Sequence, residues 1–157
     1  MVATERLKAP MRRAQLLVAI KVSRAYRTTL HAAATALSGL PPVELLAELR
    51  ARVFWRTREL QRQGVAITGR IRLAIREDVK TALYNKWEEY LANPALAGRR
   101  VVQAVQPCLR EWASRRECGL TFHMTQVLTG HGCFGEYLCR IKRERTTEYH
   151  HCGAEVD

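Results

Sequence analysis

Leu128-Thr-Gly-His-Gly-Cys-Phe-Gly-Glu-Tyr-Leu138 joins two apolar segments of the sequence. A short apolar run ends at Leu128, and four residues after the glycines share one helical face: Phe134, Tyr137, Leu138 and Ile141. Between the two segments lies Gly130-His131-Gly132, and glycine readily takes the positive φ with which a chain leaves a helix. The pattern predicts a helix, a tight glycine turn and a second helix, with both apolar faces directed into one core.

Apolar residues at helical spacing predict more helices in the rest of the chain. The predicted helical segments are 5–26, Leu30 to Leu37, Val43 to Gln63, Arg70 to Leu91, Gly98 to Trp112 and the hairpin Leu120 to Ile141. Thr28 or Thr29 is predicted to cap the second helix, and Pro107 to interrupt the fifth. Strand-like alternation is nearly absent. The sequence predicts an all-α fold, an irregular bundle of about six helices that ends in the hairpin and an irregular tail.

The length and composition are those of one folded domain. The chain has 157 residues, of which 47% are hydrophobic, and this is enough to bury a core. No apolar run approaches the roughly 18 residues that a membrane span needs, and the N-terminus lacks the apolar segment of a signal peptide. Five cysteines without a secretory signal favour free thiols or metal ligands over a disulfide framework. We expect an intracellular protein with no membrane partner.

Positive charge is concentrated in the first half of the chain. Residues 1–76 contain 15 Lys or Arg and 4 Asp or Glu, whereas residues 77–157 contain 11 of each kind. Such an excess attracts polyanions, and arginine forks bind phosphate through two hydrogen bonds. The predicted nucleic-acid contacts are Arg12, Arg13, Lys21, Arg50, Arg52, Arg56, Arg58 and Arg62. The alternative is an arginine-rich helix surface that is only solvated.

Two aromatic residues, Phe54 and Trp55, interrupt the arginines of the third predicted helix. Exposed aromatic rings stack on unpaired bases, but aromatic residues in a helix more often belong to the core. We interpret both residues as core residues at this point.

No catalytic residue is predicted. His31 has no acidic or nucleophilic neighbour in the sequence, and His131 has only Cys133. We interpret both histidines as structural, with His131 hydrogen-bonded to the backbone of the glycine turn. The sequence also has no paired-aspartate motif that could hold two metal ions, since the only aspartates are Asp78 and Asp157.

Residues Thr125 to Ile141 resemble the region downstream of the polymerase domain in the Pol proteins of non-LTR retrotransposable elements, especially the type-1 (R1-type) elements of insects. The family pattern is L-T-G-H-G-x-F-x-x-Y-L-x-R-[IF], and it is matched by Leu128, Thr129, Gly130, His131, Gly132, Phe134, Tyr137, Leu138, Arg140 and Ile141. An Ala-Tyr-Arg-Thr at Ala25 and a Leu-x-Gly-x-x-Pro at Leu37 also match. The resemblance covers most of the chain and is strongest over 24–48 and 120–141.

The resemblance implies a role as the C-terminal piece of a reverse-transcribing Pol protein. Such a protein has an N-terminal endonuclease and a central reverse transcriptase, uses Mg²⁺ and primes DNA synthesis at a nicked target in the nucleus. The implied partners are the RNA template, the target DNA and the upstream reverse transcriptase domain. Residues 1–63 would be a basic helical segment after the polymerase thumb, 64–141 a helical post-polymerase module and 142–157 the tail. The piece itself would bind nucleic acid as a scaffold without an active site or cofactor.

Two other functions remain open beside this one. The chain is alternatively a stand-alone helical binding protein that shares the module, or a non-functional structural remnant of a degenerate element copy. The tail departs from the family pattern, which usually has a C-x-x-C and then a His and a Cys. Here Tyr149 stands at the first cysteine position, Cys152 stands at the second, and no His or Cys follows. Zinc takes about four sulfur or nitrogen ligands, so no metal site is predicted, and the knuckle is interpreted as decayed or truncated.

Overall fold

The computed structural model describes residues 5–115, 119–132 and 134–147. Eight α-helices form within these ranges: α1 (Glu5–Ser23), α2 (His31–Ser38), α3 (Val43–Arg62), α4 (Gly69–Ala92), α5 (Arg99–Val105), α6 (Leu109–Ser114), α7 (Phe122–Thr129) and α8 (Gly135–Arg140). A 3₁₀ turn, Gln106–Cys108, joins α5 to α6, and the described residues contain no strand. The prediction of an all-α irregular bundle is confirmed.

The short helix α2 lies at the centre of the bundle. Every residue from Ala32 to Leu37 is buried, because α1 and α5 pack on different sides of this helix. Its alanines allow close approach, and a Cβ added at Gly98 would come within 2.9 Å of the Ala33 Cβ. The rest of the core comes from α4, α5 and α6, with Trp87, Val105 and Leu109 almost completely buried.

The long helices α3 and α4 pack against each other, but α3 contributes little to the core. None of its residues is fully buried, although Leu45 packs at the edge of the core cluster. An ion pair between Glu48 and Lys86 connects α3 to α4, and Glu48 also pairs with Arg52 at 2.9 Å within α3. A hydrogen bond from Lys86 is the main reason that the pKa of Glu48 is lowered. No helix of the described residues is long and apolar enough to cross a membrane.

Two local predictions are corrected by the structure. The cap of α2 is Leu30, without a side-chain hydrogen bond, so neither Thr28 nor Thr29 caps this helix. The predicted interruption of the Gly98 to Trp112 helix at Pro107 is confirmed, since Pro107 lacks the N–H that a continuous α-helix needs and the chain forms a 3₁₀ turn there; what the structure corrects is only that α5 and α6 are two separate helices.

The predicted helical hairpin is present, but it docks differently from the expectation. α7 ends at Gly130, which has φ of +66°, and α8 begins after Phe134. Leu120 is buried and Leu128 packs against the core cluster, whereas Val127 and Ile141 are about half exposed, so only part of the two apolar faces enters the core. Polar contacts also hold α7. The Thr125 hydroxyl donates to the Ser23 carbonyl at 2.7 Å, and the Gln126 amide donates to the Tyr26 hydroxyl at 2.7 Å.

The metal predictions concern residues mostly outside this description. Tyr149 and Cys152 lie beyond residue 147, so the interpretation of the tail as a decayed knuckle stays a prediction. Within the described ranges, no group of three His, Cys, Asp or Glu side chains lies close enough to hold a metal ion.

Candidate nucleic-acid interface

The helix α3 carries one row of basic and aromatic side chains that begins near its middle. Arg50, Phe54 and Arg58 are spaced four residues apart and therefore lie on one face of the helix. They line a surface depression together with three other α3 residues: Val53, Thr57 and Gln61.

A second depression lies between α3 and α4. Arg52, Trp55 and Arg56 form its α3 wall, and residues of α4 form the other wall: Ile75, Asp78 and Val79. Phe54 and Trp55 thus belong to adjacent depressions, and their ring centroids are 5.1 Å apart in an edge-to-face arrangement. The two rings lie side by side, with Arg50 and Arg58 in one depression and Arg52 and Arg56 in the other.

The two aromatic side chains are exposed, so their interpretation as core residues is wrong. Phe54 is 55% exposed and Trp55 is 59% exposed. The reason is that α3 packs along one side on α4, and the described residues place no helix over the rings. The guanidinium of Arg58 lies 5.9 Å from the centroid of the Trp55 ring, within the range of a cation–π contact. Large exposed rings among cations are typical of an interaction surface.

Ion pairs divide the eight predicted contact residues into two groups. Arg12 is bound by Glu44 and Glu5, Arg52 by Glu48, and Arg62 lies 3.9 Å from Glu59. The hydrogen bond to Glu44 is the main cause of the raised pKa of Arg12. The other five form no ion pair with any described residue: Arg13, Lys21, Arg50, Arg56 and Arg58. These five side chains keep their full hydrogen-bonding capacity for phosphate.

The free cations do not all lie beside the two aromatic rings. Arg50, Arg56 and Arg58 line the two depressions, whereas Arg13 and Lys21 lie on α1 and line neither. The structure therefore concentrates the candidate interface in three arginines and two aromatic rings of α3. We call these five residues the α3 ridge.

The glycine-turn residues form a different site, against the corner between α1 and α2. His131 is 8% exposed, and its Nε2 lies 3.1 Å from the Thr28 hydroxyl. Its ring also contacts the rings of Tyr26 (5.4 Å) and Tyr137 (5.0 Å), which lie 6.3 Å from each other, so the three rings form one cluster. His131 thus has a side-chain partner from the corner, Thr28, in addition to the backbone of the turn at Thr129, the kind of partner that the sequence predicted.

The other motif residues shape the same site. Gly130 ends α7, and Phe134 caps α8 while its ring lies 5.8 Å from the Arg100 guanidinium. A Cβ added at Gly132 would come within 2.7 Å of the Gln126 amide, and Leu138 is half-buried. The two segments with the strongest family resemblance, 24–48 and 120–141, are thus in direct contact.

The remaining histidine, His31, fits its interpretation as a structural residue. Its Nε2 lies 3.1 Å from the Gln15 side-chain oxygen, which also accepts from the Val43 N–H. Burial is the main cause of the lowered pKa of His31.

Acidification is expected to destabilise the protein through His131. Burial, and then the charge of Arg140, lower the pKa of His131, while the Thr129 backbone partly opposes them. Because the unfolded chain binds a proton near pH 6.5 and the folded chain binds it only at lower pH, the free energy of unfolding falls as the pH drops below about 6.5. Urea unfolding at about pH 7.5 and 5.5 measures this loss.

His131→Gln is expected to reduce the pH dependence, whereas the exposed His123→Gln serves as the matched control and should leave it unchanged. His31, whose pKa is also lowered, accounts for the dependence that remains in the first variant. An identical pH slope in His131→Gln and in the parent protein would contradict this assignment.

Comparisons of the chain with protein-family models, with curated proteins and with solved structures found no match. The α3 ridge is accordingly the main observation that bears on function. The sequence analysis predicted its three arginines as nucleic-acid contacts, but it assigned its two aromatic residues to the core. The signal was present, because Phe54 stands four residues from both Arg50 and Arg58 and so shares their face.

Proposed function

We propose that this chain binds nucleic acid through the α3 ridge, and that unpaired strands are its preferred form. The observation that carries the proposal is the exposure of Phe54 and Trp55 next to arginines that have no acidic partner among the described residues. Aromatic platforms combined with a cationic groove are the usual means of binding single strands. Arginine adds hydrogen bonds to phosphate and stacking on bases.

The aromatic rings give the surface a preference for unpaired strands over duplexes, which positive charge alone would not provide. Arginines at a surface bind the phosphates of any duplex or single strand. A ring that stacks on a base needs that base to be unpaired, because the faces of paired bases are already covered by their neighbours. Phosphate contacts carry no base preference, so binding is expected to depend little on sequence.

The family resemblance supports a more specific context for this binding. We propose that the chain acts as the C-terminal region of a non-LTR retrotransposon Pol protein, in the nucleus. Its partners there would be the RNA template, the target DNA and the upstream reverse transcriptase domain. The Mg²⁺-dependent polymerase and endonuclease steps would belong to the parent protein, and this region would hold the nucleic acid. The alternative of a non-functional structural remnant predicts no binding.

Binding to a single-stranded RNA is expected to weaken linearly with salt on logarithmic axes. Each phosphate contact on a single strand adds about 0.7 to the slope. The triple variant Arg50→Gln, Arg56→Gln and Arg58→Gln should therefore lower the slope by about 2. Fluorescence anisotropy of a labelled RNA across a salt series measures both quantities.

The matched control removes the same charge from exposed side chains after α8, with Lys142→Gln, Arg143→Gln and Arg145→Gln. This control is expected to keep most of the salt slope. An equal decrease of the salt slope in both triple variants would show that RNA binding depends only on the net charge of the chain. The absence of RNA binding by the parent protein at low salt would overturn the proposed function.

A further inference from the structure

A pocket of about 510 Å³ opens where the α1–α2 corner, the start of α5 and the glycine turn meet. This volume falls within the range of small-molecule sites. Three separate parts of the chain supply its walls, represented by Thr29, Arg100 and His131. The pocket shares no residue with the α3 ridge.

The walls of the pocket are positively charged. Arg99, Arg100 and Arg140 line it, together with a single acidic residue of the described chain, Glu136. None of the three arginines forms an ion pair within the described ranges. The lowered pKa of His131, caused first by burial and then by Arg140, is consistent with positive potential inside the pocket.

Ring contacts hold two of these arginines in place. Arg100 lies over Phe134 at 5.8 Å, and Arg140 lies over Tyr137 at 5.3 Å. Neither guanidinium forms a hydrogen bond with the described residues, so the N–H donors of both remain available for an anion. The donors are thus positioned before any ligand arrives, which lowers the entropic cost of binding.

A buried hydroxyl in the same wall has no partner. Thr29 is only 4% exposed, and its Oγ1 forms no hydrogen bond with the described residues. Buried side-chain polar atoms are normally hydrogen-bonded, so this hydroxyl is an available donor for a ligand that reaches it once the Thr29 side chain turns toward the pocket that it lines. A phosphate oxygen, which accepts hydrogen bonds from hydroxyl and guanidinium groups alike, fits both kinds of donor.

The pocket is larger than a phosphate ion requires, and part of its wall is apolar. Leu30, Ala33, Val101 and Ile141 line this part, beside the ring of Tyr137. We propose that the pocket binds a phosphate monoester carried on a nucleoside, with the phosphate at the arginines and Thr29 and the nucleoside against the apolar wall. A free nucleotide and the 5′-phosphorylated end of a strand both present this chemistry.

Titration calorimetry of the full chain tests the site with 5′-AMP, adenosine and inorganic phosphate as probes. We expect 5′-AMP to bind at least tenfold more tightly than adenosine or phosphate. Arg100→Gln combined with Arg140→Gln should bind 5′-AMP at least tenfold more weakly than the parent protein does. Thr29→Val removes an unpaired hydroxyl, so it should weaken 5′-AMP binding in a protein that stays folded by circular dichroism.

Two strands that differ only in a 5′-phosphate separate the possible sources of the ligand. Tighter binding of the phosphorylated strand supports a strand end, and tight binding of 5′-AMP without that difference supports a free nucleotide. The triple variant of the α3 ridge should bind 5′-AMP as tightly as the parent protein does. This result would show that the pocket binds its ligand independently of the strand binding proposed for the α3 ridge. The inference is overturned if neither 5′-AMP nor the 5′-phosphate adds affinity, or if the double arginine variant binds 5′-AMP as the parent does.

Discussion

Phe54→Ala combined with Trp55→Ala is expected to weaken binding to single-stranded RNA by about 30-fold or more. Stacking of a base on an aromatic side chain contributes about 1–3 kcal/mol, so the loss of two rings removes at least about 2 kcal/mol. Duplex binding should change much less, because paired bases do not reach the rings. Anisotropy titrations with one labelled strand, alone and annealed to its complement, measure both affinities.

The structure predicts that this double variant remains folded. Both side chains are more than half exposed, and truncation of exposed side chains usually changes stability by less than about 0.5 kcal/mol. Leu7→Ala combined with Met11→Ala is the matched control, since it truncates two exposed apolar side chains on α1. This control should keep its affinity for RNA. Equal weakening for single strands and duplexes would mean that the rings do not stack on bases.

The helices could be predicted because their signal is local. The apolar stripe of α4 contains Ile75, Leu83 and Trp87, and all three are buried. The helix α2 was recognisable from its alanines and from Gly39, which ends it with φ of +68°. That α2 is buried on every side was not predictable, because this depends on α1 and α5, which approach from distant parts of the chain.

The position of the aromatic rings could have been predicted more accurately from helical geometry. An α-helix turns about 100° for each residue, which places Phe54 and Trp55 each roughly 130° from the centre of the leucine stripe of α3. The aromatic residue type favoured a buried position for both residues. Their position on the helix, away from the leucine stripe, correctly indicated exposure. Aromatic residue type is a weaker guide to burial than the helical face on which the residue lies.

Sequence distance limits what can be predicted about the charged residues. The ion pair of Glu48 with Arg52 follows from their i, i+4 spacing. The ion pair of Arg12 with Glu44 spans 32 residues and depends on the packing of α1 on α3. The same limit applies to the phosphate pocket, because Thr29, Arg100 and Arg140 meet only after the hairpin has docked on the α1–α2 corner.

Trp87→Ala is expected to destabilise the protein by about 3–5 kcal/mol, the usual cost of truncating a buried aromatic side chain. Trp87 is 0% exposed, belongs to the central core cluster and stacks on Tyr84 at 6.3 Å. Domains of this size have free energies of unfolding of about 5–15 kcal/mol, so the variant loses a large part of its stability. Urea unfolding followed by circular dichroism measures the change.

Trp55→Ala provides a matched control for Trp87→Ala, because it removes the same side chain from a position that is 59% exposed. Its stability should stay within about 0.5 kcal/mol of the parent protein. Trp87→Phe gives a further test, since the Nε1 of Trp87 has no hydrogen-bond partner among the described residues. Phenylalanine keeps most of the ring and removes that unpaired donor, so it should cost much less than alanine. Similar losses in Trp87→Ala and Trp55→Ala would contradict the burial of Trp87 in the core cluster.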